Sequence, residues 1–214
     1  MATSASVTSP RNRRWGHNGA LPGDEEPRSR LLAAAQRCIV RRGDTQIRMA
    51  EVADEAGVVR STVYRYYATR DELLLGLVLR RIDTAFGRWV AALTDPQDAA
   101  RSIRELVLKP AAAVDDGDAV NDALYASKST ALAPVLELGA EAVADVVAAQ
   151  VGPLFRQWKA GGQIFSDLNL RETVQWMSAT TSFLLTSSWR HRPAAAKRRF
   201  VDRYLIRALV PPSK

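Results

Sequence analysis

The chain has 214 residues, enough for one larger helical domain or a small domain joined to a bigger one, and 47% of them are hydrophobic, which can fill a real core. Lys and Arg number 30 against 23 Asp and Glu, a net charge of +7 with a pI near 10.0, which favours an anionic partner, nucleic acid before a membrane surface. A single cysteine, Cys38, excludes an intramolecular disulfide and a cysteine-clustered zinc site. The opening MATSASVTSPRNRRWG lacks the apolar stretch of a secretory leader, and residues 1–27, rich in Ser, Thr, Pro, Gly, Asn and Arg, read as a disordered basic tail. Arg11, Arg13 and Arg14 in that tail suit a phosphate backbone or a minor groove, or form a solvated tail with no role.

From Arg28 the pattern becomes helical. Leu31, Leu32, Ala35, Cys38 and Ile39 recur at helical spacing and Gly43 closes the segment, so Cys38 is expected in a core. Met49, Val52, Ala53 and Ala56 share one face of a second short helix, Gly57 reverses the chain, and a third helix begins near Arg60. Thr69 and Glu72 form a capping box for a long helix whose stripe runs Leu74, Val78, Ile82, Ala85, Phe86, Trp89 and Leu93 until Asp95-Pro96. Its aliphatic run Leu73 to Leu79 is far shorter than the ~20 residues a membrane span needs. A cytoplasmic location with no membrane contact is expected.

Beyond Pro96 helices are predicted over 97–114, 118–130, 138–160, 170–190 and 194–209. Breaks fall at Asp115-Asp116-Gly117-Asp118, Pro134, Gly161-Gly162 and Arg192-Pro193, Asn169 with Glu172 caps one start, and Gly152-Pro153 predicts a kink. No alternating strand pattern or repeat is present. The fold class is all-α, with residues 1–27 as tail, 28–68 as a helix-turn-helix unit and 69–210 as a larger helical body.

On the helix after Gly57, Val59, Val63 and Tyr67 fall on one face and are expected to pack on Val52 and Ala56. The opposite face then presents Arg60, Ser61, Tyr64 and Arg65, flanked by Thr62 and Tyr66. Hydroxyls donate to phosphate oxygens, and a guanidinium can bond O6 and N7 of guanine in the major groove. A polar outer face is ordinary for an amphipathic helix. The turn glycine, inward valines and outward donors together describe a recognition helix.

The segment IRMAEVADEAGVVRSTVYRYYATRDELL, Ile47 to Leu74, resembles the helix-turn-helix of the TetR (tetracycline repressor-like) family of bacterial transcription regulators. Its pattern appears as Val52-Ala53, Ala56-Gly57-Val58 at the turn, Thr62-Val63-Tyr64-Arg65-Tyr66-Tyr67, and Arg70-Asp71-Glu72-Leu73, with LLAAAQRCIVRRG before it as the first helix. The resemblance implies that Arg48, Thr62, Tyr64, Tyr66 and Arg70 hold the DNA backbone while Arg60, Ser61 and Arg65 read bases. Departures are Arg48 and Val59 where the family has Ser or Thr, two absent N-caps at a cost of about 1 kcal/mol each, and Tyr66 and Tyr67 for the commoner histidine and phenylalanine.

The same resemblance implies an effector pocket in the body and a dimer interface in the last two long helices. Phe86, Trp89, Tyr125, Phe155, Trp158, Trp176 and Phe183 supply apolar wall and Asn121, Gln175 and Thr180 directional polar groups for a small, mostly apolar effector; each aromatic also suits an ordinary core. AGGQIFSDLNLRETVQWM, Ala160 to Met177, resembles the approach to the family's dimerisation helices. There Ser178, Ala179, Thr181, Ser182 and Ser187 alternate with Trp176, Met177, Phe183 and Leu184, and the last helix adds Phe200, Val201, Tyr204, Leu205 and Ala208. A two-fold four-helix interface sets recognition helices about 34–36 Å or somewhat more apart and implies a palindromic operator. Lys197, Arg198, Arg199, Arg203 and Arg207 form either a second nucleic-acid patch or the solvated face of the last helix.

Catalysis finds little support. The two histidines, His17 and His191, lie in no recognisable motif, and no phosphate-loop, nucleophile-elbow, zincin or dinucleotide signature occurs, leaving only carboxylate pairs such as Glu137 with Glu141. No cofactor and no metal are expected. The expected function is a ligand-responsive homodimeric repressor on double-stranded DNA; the alternative is a helical sensor or interaction module without sequence-specific DNA binding.

Overall fold

The computed structural model describes residues 24–113, 117–125, 135, 139–186 and 188–212, without the side chains of Tyr125 and Thr186. Every regular element among the described residues is helical. The basic tail with Arg11, Arg13, Arg14 and His17, the breaks at Asp115-Asp116 and Pro134, Glu137, Ser187 and the tail end of the predicted 118–130 helix lie outside them.

Helix α1, Glu25–Arg42, opens on acidic and closes on basic side chains, matching the helix dipole at both ends. It buries Leu31, Leu32, Ala34, Ala35, Cys38 and Ile39, and Gly43 at φ 72° donates its amide to the Ile39 carbonyl at 2.8 Å. Helix α2, Met49–Ala56, buries the four predicted residues, and Gly57 at φ 65° turns the chain. Its start has half a capping box: the Arg48 amide donates to Glu51 Oε2 at 3.2 Å, while a guanidinium cannot return the bond.

Helix α3, Arg60–Tyr66, is short because both flanking residues are extended, Val59 at ψ 148° and Tyr67 at ψ 106°. This corrects the expected inner face. Val63 and Tyr67 are buried, but Val59 is 68% exposed, since an N-cap leaves the helical phase; Val58 packs on the core in its place.

Helix α4, Arg70–Ala91, is capped by Thr69, whose Oγ1 accepts the Glu72 amide at 3.1 Å; Glu72 Oε2 reaches back one residue farther than expected, to the Ala68 amide at 2.8 Å. Then come α5, Ala99–Ala113; α6, Ala119–Tyr125; α7, Ala140–Ala160; and α8, Leu170–Thr186. Helix α7 continues on both sides of Pro153. The predicted 170–190 helix stops at Thr186, before a 3-10 turn over Ser188–His191.

The predicted last helix divides into α9, Ala194–Val201, a π-helical turn over Asp202–Ile206, and α10, Arg207–Leu209. Adding residues to a turn rotates everything after it. Leu205, Ile206 and Leu209 face inward, while Tyr204 and Ala208, two of the five residues expected at a dimer interface, are exposed. An ion pair from Arg104 of α5 to Asp202 anchors the start of this turn.

Two cores result. The first joins α1, α2, α3 and the first half of α4 to Val120, Ala123, Leu124 and Val135, so α6 packs with the N-terminal unit. The second is built from α5, α7, α8 and the C-terminal helices, and Ile82 of α4 packs against both. Helix α4 thereby links them mechanically.

Candidate nucleic-acid interface

Helix α3 is held on α1 and α2 from beneath. Val63 inserts into the first core, and Tyr67 lies over α4 at Gly76, where an added Cβ would come within 2.9 Å of the Tyr67 ring. The glycine is required by this close approach. Burial pushes the Tyr67 phenol up, with the positive charge of Arg28 opposing.

Electrostatic links fix α1 against α2. Glu55 accepts from Arg37 at 2.6 Å and Arg41 at 2.7 Å, and these hydrogen bonds, Arg41's first, hold its carboxyl below the usual carboxylate range. Arg30 donates to the Ala56 carbonyl at 2.9 Å, satisfying the end of α2, and Arg42 pairs with Glu51 at 3.1 Å. Cys38 is fully buried, and desolvation raises its thiol.

The outward residues of α3 are organised as arginine–tyrosine pairs. Arg60 stacks over the Tyr64 ring at 5.3 Å and donates to its hydroxyl at 2.9 Å, one helical turn away. Arg65 stacks over Tyr66 at 4.7 Å and donates to that hydroxyl. In both pairs the hydroxyl accepts from the guanidinium, which leaves the Tyr64 proton for another acceptor while that of Tyr66 goes to Asp24, and the remaining guanidinium N–H groups keep their donor capacity. Each pair narrows the rotamer freedom a flexible arginine would lose on binding.

Arg48, Arg60, Ser61, Tyr64 and Arg65 are exposed, with Thr62, Tyr66 and Arg70 partly so. Arg70 is not free to roam: it donates to Gln46 at 2.9 Å and pairs with Asp71 at 2.9 Å, fixed at the start of α4. Two contacts on Tyr66 escaped the sequence reading. Its hydroxyl donates to Asp24 at 3.2 Å across 42 positions, and Arg28 lies 5.6 Å from both the Tyr66 and Tyr67 rings. No local pattern signals a contact between the residue that precedes α1 and α3.

The expected effector residues do not converge on one space. Phe155 and Trp158 are in the second core, Trp158 only 1% exposed and donating its indole N–H to the Pro96 carbonyl at 2.8 Å. Phe86 and Trp89 meet edge-to-face at 5.2 Å beside that core. Asn121 accepts from Arg81 at 2.9 Å and donates to the Ala113 carbonyl at 3.2 Å, while Gln175 donates to Glu141 at 2.9 Å. Thr180 is buried, Trp176 and Phe183 are exposed, and the Tyr125 side chain is outside the described set.

A group of exposed and half-buried aromatics instead gathers near the C-terminus, with Trp189 and Phe200 packed on the second core. Phe183, Trp189, Phe200 and Tyr204 form a continuous ladder with successive ring separations of 5.8, 4.7 and 5.0 Å. Tyr204 is 57% and Trp176 44% exposed. Of the basic run, Arg198, Arg199, Arg203 and Arg207 are exposed and Lys197 is buried. No helix among the described residues is long and apolar enough to cross a membrane.

Residues 31–77 match the family model described as bacterial regulatory proteins, tetR family. The chain is 31% identical over 107 residues to the HTH-type transcriptional regulator EthR of Mycolicibacterium smegmatis, a match covering 49% of this chain and 46% of that protein. It is 34% identical over 87 residues to the HTH-type transcriptional activator FasR of the same organism, covering 41% and 39%. Each match thus spans less than half of the curated relative. The R. erythropolis transcriptional repressor QsdR shares the fold, with a TM-score of 0.67 at 16% identity over 90% of this chain and 100% of that one. Helix-turn-helix geometry and matched segment agree: residues 31–77 carry the DNA-binding pattern of the tetR family of bacterial regulatory proteins, on a chain whose fold is that of QsdR.

Proposed function

We propose that this protein is a sequence-specific DNA-binding transcriptional regulator, acting as a homodimeric, ligand-responsive repressor on a palindromic operator in the cytoplasm. The observation that supports it is the outward face of α3, where Arg60 with Tyr64 and Arg65 with Tyr66 stand as preset donor pairs on a helix that follows the Gly57 turn. Arg60, Ser61 and Arg65 meet base edges; Arg48, Thr62, Tyr64, Tyr66 and Arg70 meet phosphates. The aromatic ladder at the C-terminus, with the exposed small residues of α8, supports pairing of two copies through their last helices. A small, mostly apolar effector completes this reading, and it must bind two conformations unequally to change operator affinity.

Binding of the purified protein to its own upstream intergenic DNA, over a salt series with an unrelated duplex as control, tests this reading. A specificity ratio of at least ~10³ is the expected result. Equal, weak binding to both duplexes at every salt concentration, with operator-like fragments drawn from the whole genome included, would reject sequence-specific regulation.

A further inference from the structure

We propose that Asp24 is an affinity-limiting residue of the DNA-binding face: its carboxylate occupies the hydrogen bond that the Tyr66 hydroxyl would give to a phosphate, and its charge opposes that phosphate. The inference rests on the DNA-binding reading above. Asp24 stands at the N-cap position of α1 without capping it. It accepts from Tyr66 Oη at 3.2 Å.

The hydroxyl's capacity decides the consequence. A phenol has one proton to donate and two lone pairs. Arg65 supplies a donor to one lone pair, and Asp24 takes the proton. A phosphate oxygen is acceptor-only, as a carboxylate is, so both compete for the same hydrogen. Binding through Tyr66 therefore displaces Asp24 or brings two anions against one hydroxyl, within a distance where salt screens only partly.

Arg28, one turn along α1, lies against the Tyr66 ring and keeps the ring in place whichever acceptor wins. Removing the charge of Asp24 thus leaves the architecture of α3 standing. Because the contested contact is to a phosphate, the restraint acts equally on every sequence. Asp24 lowers affinity for bulk DNA without altering which bases Arg60, Ser61 and Arg65 select.

The test compares full-length wild type, Asp24→Asn, Tyr66→Phe and the double variant by fluorescence anisotropy on the operator duplex and an unrelated duplex, from ~50 to ~300 mM salt, where charge contributions to DNA binding change most. Asparagine keeps an acceptor for Tyr66 and removes the charge. Asp24→Asn is expected to tighten binding to both duplexes by about tenfold at the lowest salt, with the gain shrinking as salt rises and the specificity ratio unchanged. In the Tyr66→Phe background the gain is expected to fall at least threefold, because the contested hydroxyl is gone. Unchanged or weaker binding by Asp24→Asn, or a gain that ignores salt, overturns the inference and leaves the regulator reading intact. Absence of wild-type binding to either duplex at low salt defeats both.

Discussion

At the scale of single residues, function turns on which hydrogen-bond capacity each side chain has left. Tyr64 accepts from Arg60 and keeps its proton, so Tyr64→Phe should remove a phosphate contact and loosen the Arg60 guanidinium. Binding to operator and to unrelated DNA is expected to weaken together by about fivefold, whereas Arg65→Ala should weaken operator binding by a larger factor, on the order of 1–3 kcal/mol, and flatten base preference; anisotropy on both duplexes checks the pair. Glu55 gives a pH signature. Its carboxyl is held below its unfolded value by Arg41 and Arg37, so its stabilising effect is present above the unfolded pKa of about 4.3 and disappears as pH falls through the folded value. The difference in melting temperature between wild type and Glu55→Gln should therefore be seen at neutral pH and vanish in acid. Cys38 offers a simpler reading: buried and with its thiol raised, it should resist a thiol reagent at neutral pH until the α1–α2 core opens.

At the scale of elements, the ends of helices were legible because their chemistry is local. Gly43, Gly57, Thr69 and Asn169 do what their types and positions predict: two take left-handed conformations and two accept amides at helix starts. Thr69→Ala should cost about 1 kcal/mol, read from chemical denaturation. Gly76 was not legible as a structural glycine, because its constraint comes from the ring of Tyr67 packed on α4. Gly76→Ala should destabilise the N-terminal unit and loosen α3, detectable as faster amide exchange in residues 60–66. Val59 marks the limit of periodicity: spacing alone assigns it inward, yet the residue that starts a helix stands outside its phase. The π turn at Asp202–Ile206 shows the same limit, since the Arg104 ion pair and the inward rotation of Leu205 and Ile206 lie on no local pattern.

For the whole molecule, the α1–α6 packing matters most. A boundary at residue 68 follows naturally from the helix-turn-helix pattern, but the first core extends through half of α4 and into α6. Arg81 of α4 holds Asp118 at 2.8 Å and Asn121 at 2.9 Å, tying the start of α6 to the helix both cores share. Movement of α6 would reach α1 and hence α3 through packed side chains. The exposed aromatic ladder yields a prediction at this scale. Tyr204→Glu, placed on an exposed position outside both cores, should shift the protein to monomers in sedimentation equilibrium and abolish tight binding to a palindrome while leaving half-site binding weak but intact.

The helical class, the caps and turn glycines, the outward Arg60, Ser61, Tyr64 and Arg65 on the helix after Gly57, and the family pattern from Val52 to Leu73 were all legible in the sequence. These rest on interactions within a few residues, which hydrophobic period and capping chemistry encode directly. Tertiary structure alone decided that Tyr66 answers to Asp24 and Arg28, that α6 joins the N-terminal core, and that the C-terminal aromatics form a surface ladder. Those are contacts between groups tens of residues apart, fixed by how helix faces pack and by competition for a limited number of protons and lone pairs.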